Sequence, residues 1–128
     1  MNNLEELKSR FLVSESLSEA KMLSLLQLAI DHCAVDSNGN VEIKNEALNA
    51  KDKLMLVLVA RFIAHNLDET IAADVTIDEF VRNVRIANEQ VRARASELAK
   101  ERQVEVVGRG VYRAQLHRLE PFLRGLKK

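Results

Sequence analysis

Apolar residues in the first half of the chain recur every three or four positions, which is the spacing of one face of an α-helix. This pattern predicts a short amphipathic helix near the start, a second helix over residues 17–35 and a third over residues 50–66. The second helix is apolar on more than one face, so we expect other elements to cover it on several sides. The apolar residues of the first helix are Leu4, Leu7, Phe11 and Leu12.

Polar residues mark where these helices begin and what separates them. Ser16 with Glu19 forms the pattern of a capping box, and Asn49 can cap the third helix in the same way. Residues 36–40 have the composition of a turn, and residues 41–44 predict a short strand. The third helix contains an unbroken apolar run, so we expect it to lie at the centre of the core.

The pattern changes after residue 75. Thr76 with Glu79 is a second capping-box pattern and predicts a short helix. A brief connection at residues 85–88 leads into another helix over residues 88–102. Because the connection is short, we expect the two helices to cross steeply rather than run side by side.

Two β-rich segments follow that helix. Val104, Val106, Val107 and Val111 surround the sequence Gly108-Arg109-Gly110, and glycine supplies the positive φ that a tight turn needs. A β-hairpin with Arg109 at its tip is therefore predicted. A last helix is expected to begin near His117 or Arg118, since the proline that follows at 121 is tolerated in a first turn.

The segments 90–102 and 104–113 resemble the recognition helix and wing of small prokaryotic, especially archaeal, winged helix-turn-helix proteins. The resemblance covers residues 50–126, with the helix at 50–66 leading and a short strand at 74–76. It implies a mainly α fold with a small β-hairpin wing and an N-terminal helical extension. It also implies binding to double-stranded DNA, with the helix 88–102 in the major groove and the wing along the backbone or in the minor groove.

Two domains follow from this interpretation: an N-terminal helical extension at residues 1–49 and a winged helix-turn-helix domain at residues 50–128. The wide apolar surface of residues 4–35 leaves two alternatives open. It packs back onto the domain, or it pairs with a second copy to form a homodimer through the N-terminal helices. Such a dimer would present two recognition helices to a two-fold related site.

Helical periodicity selects the residues that face away from the core on the helix 88–102. Arginines there and on the wing are expected to neutralise phosphates, and polar side chains to reach base edges. Ala93 lies between two arginines and allows close approach to a groove. The predicted DNA-binding residues are Asn88, Glu89, Gln90, Arg92, Ala93, Arg94, Ser96, Arg109 and Arg113.

Charge is divided unevenly although the whole chain carries no net charge. Residues 1–75 contain seven Lys and Arg against twelve Asp and Glu, a balance of −5. Residues 76–128 contain twelve against seven, a balance of +5. A basic half that coincides with the helices and the hairpin is typical of a chain in which one part meets phosphate.

Other chemistry finds little support in the sequence. One cysteine, Cys33, cannot form an internal disulfide or a cysteine-built zinc site. The three histidines lack metal spacing and stand beside no nucleophile motif, so we expect no enzyme, no cofactor and no metal. No apolar run is long enough to span a membrane, and we expect a cytoplasmic protein. The rival interpretation is a winged-helix module that binds proteins rather than DNA.

Overall fold

The computed structural model describes residues 18–126 and, before them, Asn3, Leu4, Leu7 and Phe11. Between residues 18 and 126 the chain is a mixed fold of five helices and two small antiparallel sheets. The helices are α1 (Glu19–Ala29), α2 (Ala50–Leu67), α3 (Ile77–Val84), α4 (Asn88–Lys100) and α5 (Leu119–Gly125). The strands are β1 (Cys33–Val35), β2 (Val41–Ile43), β3 (Val75–Thr76), β4 (Val104–Gly108) and β5 (Val111–Ala114). A 3₁₀ turn at Leu116–Arg118 precedes α5.

Helix α2 forms the centre of the core, as its unbroken apolar run predicts. Asn49 caps it by accepting a hydrogen bond from the backbone N–H of Asp52 at 2.8 Å. Every residue from Leu54 to Arg61 is buried. A helix buried on all sides needs neighbours on all sides, and α2 contacts α1, α3, α4, β1, β2 and β5.

The helix predicted at residues 17–35 is too long at its C-terminal end. Helix α1 ends at Ala29, and Cys33–Val35 is a strand that pairs with Val41–Ile43 in antiparallel register. An apolar run alone does not distinguish a buried helix from a short buried strand, and here the pairing with β2 decides. The cap of α1 is Ser18, whose hydroxyl accepts from the N–H of Lys21. Ser16, the predicted cap, lies outside the described residues.

Helix α1 packs against α5 and α2, which is the first of the two alternatives for this apolar segment. An ion pair of 2.9 Å between Lys21 Nζ and Glu120 joins α1 to α5. In contrast, Leu4, Leu7 and Phe11 are helical and exposed. Leu12, the fourth apolar residue of that predicted helix, lies outside the described residues.

The second sheet has the order β3-β5-β4. The hairpin β4–β5 is confirmed, but Gly108 belongs to β4 and pairs with Val111, so the turn consists of Arg109 and Gly110 alone. Gly110 adopts φ 69°, a value that glycine accepts without strain. A bulge lies between Val106 and Gly108.

Helices α3 and α4 follow the predicted order closely. Thr76 caps α3 by accepting from the N–H of Glu79 at 3.2 Å. The connection consists of residues 85–87, with Arg85 in the left-handed region at φ 56° and ψ 42°. Helix α4 ends at Lys100, two residues before the predicted end, because Arg102 also has a positive φ of 58°.

Candidate nucleic-acid interface

The outward face of α4 is polar and accessible. Val91, Ala95 and Leu98 anchor the helix in the core, so the residues on the opposite side project into solvent. Most of the predicted site residues on this helix are exposed. They are Asn88, Glu89, Gln90, Arg92, Ala93 and Ser96, and Lys100 lies on the same exposed side.

Arg92 is held in position by its own helix. Its Nε donates a hydrogen bond of 2.7 Å to Asn88 Oδ1, one turn earlier. The two side chains are exposed neighbours on the same surface, and this bond leaves the guanidinium with its remaining donors and its full charge. Arg92 can therefore meet an anion without breaking an ion pair.

Arg94 is placed differently. Its Nη2 lies 2.8 Å from Glu97 Oε1, and its Nε is buried without a hydrogen-bond partner. Glu97 also lies 3.8 Å from Lys51 Nζ on α2. This locates Arg94 on the side of α4 that faces α2, where its charge is partly neutralised.

Arg113 is likewise engaged within the fold. Its Nε donates to Asp74 Oδ1 at 2.6 Å, and its Nη1 lies 3.8 Å from Glu105 Oε2. The hydrogen bond to the Asp74 carboxylate raises the pKa of Arg113 above its ordinary value. Adjacent residues of a strand point to opposite faces, so Arg113 lies on the face opposite Tyr112. The ring centroids of Tyr112 and Phe80 are 6.2 Å apart.

Arg109 occupies the tip of the hairpin, as predicted, and is exposed. The structure thus separates the four arginines of the predicted site into two pairs. Arg92 and Arg109 have no acidic partner among the described residues, whereas Arg94 and Arg113 each have one.

Further basic residues belong to the same part of the chain and were not among the predicted site residues. They are exposed and have no acidic partner in the described part of the chain: Arg82, Arg85, Lys100 and Arg102. Lys100 follows from the helical periodicity that selects Ala93 and Ser96. Arg85 and Arg102 could not be placed from the sequence, because their positions depend on left-handed turns at the ends of α3 and α4.

Most acidic residues of this region form ion pairs. Glu79, Glu97, Glu101, Glu105 and Glu120 each contact a basic side chain. Lys51 on α2 contacts both Glu97 and Glu101, and its hydrogen bond to Glu101 raises the pKa of Lys51. In contrast, Glu89 is exposed on the outward face of α4 without a basic partner in the described part of the chain.

Outside this region, two of the histidines have hydrogen-bond partners within the fold. His32 is buried beside the amide of Asn45, and His65 Nδ1 lies 2.8 Å from the carbonyl of Ile71. Burial raises the pKa of the Cys33 thiol to about 11. The described residues contain no group of His, Cys, Asp and Glu arranged to hold a metal ion.

A cavity of about 800 Å³ lies between the β1–β2 hairpin and the end of α3. Its lining carries both signs of charge: Arg82, Arg85 and Lys53 are basic, and Asp36, Glu42 and Glu46 are acidic. Lys53 and Glu46 lie 3.8 Å apart. Because both signs of charge line the cavity, its electrostatics favour neither an anionic nor a cationic ligand.

The chain matches no protein-family model, no curated protein and no solved structure. Among the residues that the structure describes, no helix combines the length and the apolar character needed to cross a lipid bilayer.

Proposed function

We propose that residues 50–126 form a winged helix-turn-helix and that the protein binds double-stranded DNA as a transcriptional regulator. The order of elements supports the fold: α2, β3, α3, α4 and then the hairpin β4–β5, with β3 completing the sheet beside β5. In a helix-turn-helix the second helix of the pair, here α4, enters the major groove. By the resemblance, the hairpin then lies along the backbone or in the minor groove.

The observation that carries the function is the charge left on this part of the surface. Five glutamates of the basic half form ion pairs, several of them with cations from residues 21–61. Within residues 76–126, the exposed Lys and Arg residues without an acidic partner in the described part of the chain are Arg82, Arg85, Arg92, Lys100, Arg102 and Arg109. Such cations on an exposed helix and at a hairpin tip suit a polyanion, because phosphate contacts supply most of the non-specific affinity for DNA.

The proposed roles separate positioning from sequence reading. Arg92 and Arg109 contact phosphates, and we add Lys100 to them. Gln90 and Ser96 face outward with side chains that can reach base edges. Arg94 and Arg113 contribute less, because phosphate must compete with the carboxylates that already hold them.

The salt dependence of binding tests these roles. Fluorescence anisotropy with a random-sequence duplex should give an affinity that falls linearly on a logarithmic salt scale. Replacing Arg92 and Arg109 together by Ala should reduce that slope by about 0.9 for each phosphate that the variant no longer neutralises.

Arg124→Ala is the control, since it removes an exposed positive charge from α5, where Arg124 lies 3.7 Å from Glu120 and outside the proposed interface. It should leave the slope unchanged, and Arg113→Ala should reduce it less than either Arg92→Ala or Arg109→Ala. If the variant with both Arg92 and Arg109 replaced by Ala had the same salt slope as the wild type, neither residue would belong to the interface.

A homodimer is the second part of the proposal. A two-fold pair of these modules would present two copies of α4 to a symmetric site. The exposed apolar residues near the start of the chain support it, because single scattered apolar residues are normal on a surface whereas a row of them marks contact with a partner.

One observation favours the rival function, a module that binds another protein. Glu89 stands exposed on the outward face of α4, where phosphate repels a carboxylate. The same anisotropy titration separates the two functions, because a DNA-binding module retains at least micromolar affinity for random duplex at low salt. No measurable binding there, with one protein partner retained in a pull-down, would favour the rival.

A further inference from the structure

Glu89 differs from the other glutamate within α4 in having no basic partner between residues 18 and 126. Glu97 pairs with Arg94, three positions before it, at 2.8 Å. Arg92 stands at the same spacing from Glu89, but its Nε donates to Asn88 Oδ1 at 2.7 Å instead. The Glu89 carboxylate is therefore exposed, and no cation from this part of the chain occupies its acceptor positions.

The position of Glu89 on α4 determines what this carboxylate can contact. It lies in the first turn of the helix. Ala93, Ser96 and Lys100 follow it at i+4, i+7 and i+11 and are also exposed, so the four residues lie on one outward face. In a helix-turn-helix, the N-terminal residues of the second helix contact base edges. Glu89 is thus located where α4 would meet base edges, and Ala93 beside it is small enough to allow close approach.

We propose that Glu89 selects a cytosine in the bound duplex by accepting a hydrogen bond from its N4 amine. This inference rests on the proposed DNA binding and adds a base that the helix prefers. An ionised carboxylate only accepts hydrogen bonds. In the major groove, guanine and thymine present acceptors, adenine presents a donor beside an acceptor, and cytosine presents a donor alone. Cytosine is therefore the base whose edge attracts this carboxylate without repelling it.

A carboxylate in a first turn also stabilises its own helix through the helix dipole, and Asp78 separates this role from base reading. Asp78 lies in the first turn of α3, is exposed and has no basic partner in the described part of the chain. Helix α3 is the first of the pair, which crosses the DNA backbone rather than entering the groove. Asp78→Asn is the matched control for Glu89→Gln, because each replaces a carboxylate by an amide of the same shape.

Selection from a pool of randomised duplexes tests the assignment on the full-length protein. The duplexes that the wild type retains should share a cytosine at one position, repeated by symmetry if the protein binds as a dimer. Glu89→Gln should replace that cytosine by adenine, because the glutamine amide matches the N6 donor and the N7 acceptor of adenine. Asp78→Asn should retain the cytosine.

Fluorescence anisotropy then measures the preference as a ratio of affinities. Exchange of the selected C·G pair for T·A should weaken binding of the wild type and of Asp78→Asn about 5-fold or more, the lower end of what one specific base contact supplies. The same exchange should change the affinity of Glu89→Gln less. On random duplex at low salt, Glu89→Gln should bind more tightly than the wild type, since it lacks a charge that phosphate repels.

The results that would overturn the inference differ in what they leave standing. If Glu89→Gln bound every duplex more tightly and kept the cytosine preference, the carboxylate would only repel phosphate, and DNA binding itself would stand. Retained duplexes that share no cytosine would lead to the same conclusion. If the wild type bound no duplex at low salt, the proposed function would fail together with this inference.

Discussion

Arg61 connects helix α2 to three other segments of the chain. It is buried on α2, and its guanidinium donates to three backbone carbonyls, those of Gly39, Ala72 and Asp74. It also forms an ion pair with Glu79 on α3. A planar fork with five donors can reach these four acceptors, whereas the ammonium of a lysine has only three donors at a single point.

The turn that approaches Arg61 requires glycine. Gly39 has φ 85°, and a Cβ built there would lie 3.4 Å from the Arg61 guanidinium carbon. Asp36 stabilises the same turn by accepting from the N–H groups of Asn38 and Asn40, both at 2.9 Å. These hydrogen bonds hold the pKa of Asp36 below its usual value.

We expect Arg61→Ala to lower the free energy of unfolding by about 3 kcal/mol, because it strands Glu79 and three carbonyl groups without their donor. Arg61→Lys should recover only part of this loss. Urea denaturation measures both. Arg124→Ala, at an exposed site, should change stability by less than about 0.5 kcal/mol. A loss for Arg61→Ala that stays within the ~1 kcal/mol expected of an exposed pair would contradict this account.

Asp74 explains why Arg113 belongs to the fold more than to the interface. Its backbone carbonyl accepts from Arg61, and its carboxylate accepts from Arg113. The sequence could not predict these contacts, because Asp74 is 13 positions from Arg61 and 39 positions from Arg113. From the sequence alone, an arginine in a basic segment is expected to be free to bind phosphate. The structure shows that Arg113 already binds Asp74.

At the scale of elements, the connection between α3 and α4 contains a residue that both caps α3 and adopts a strained backbone conformation, Arg85. Arg85 closes α3 through its backbone N–H, which donates to the carbonyl of Val81 at 2.9 Å. Its φ of 56° places a residue with a Cβ in the left-handed region, at a cost of about 1 kcal/mol or more. Glycine is the residue that usually occupies this position at a helix end.

Arg85→Gly should therefore stabilise the protein by about 0.5 to 1 kcal/mol, since relief of the left-handed strain exceeds the added freedom of the unfolded chain. Arg82→Gly is the matched control within the last turn of α3, and it should destabilise by about 1 kcal/mol. The midpoints of urea denaturation give both values. A destabilised Arg85→Gly variant would mean that the arginine side chain makes a contact that outweighs the strain.

Elements with strong local signals were predicted well from the sequence. The caps Asn49 and Thr76, the long apolar run of α2 and the hairpin around Arg109 all lie where the pattern places them. The prediction of a helix over residues 33–35 was wrong. These three residues extend the apolar run of α1, and only their pairing with β2 shows that they form a strand. Local patterns thus determined the elements with their own caps and turns, whereas long-range pairing determined the rest.

At the scale of the whole molecule, ion pairs join the acidic and the basic half of the chain. Cations from the acidic half, such as Lys21, Lys51 and Arg61, neutralise glutamates of the basic half. What remains on α3, α4 and the hairpin is mostly positive. The sequence predicted the helix and the hairpin turn on which the candidate residues lie. Which of their arginines have an acidic partner depends on tertiary contacts.

The central claim is that the outward face of α4 and the tip of the hairpin meet duplex DNA. Chemical-shift mapping on the labelled protein, titrated with a random-sequence duplex at low salt, tests this most directly. The account predicts that the amide signals of Gln90, Arg92, Ser96 and Arg109 shift together, while that of Lys21 does not. Shifts confined to α1 and α5, or no shift at any duplex concentration, would contradict it.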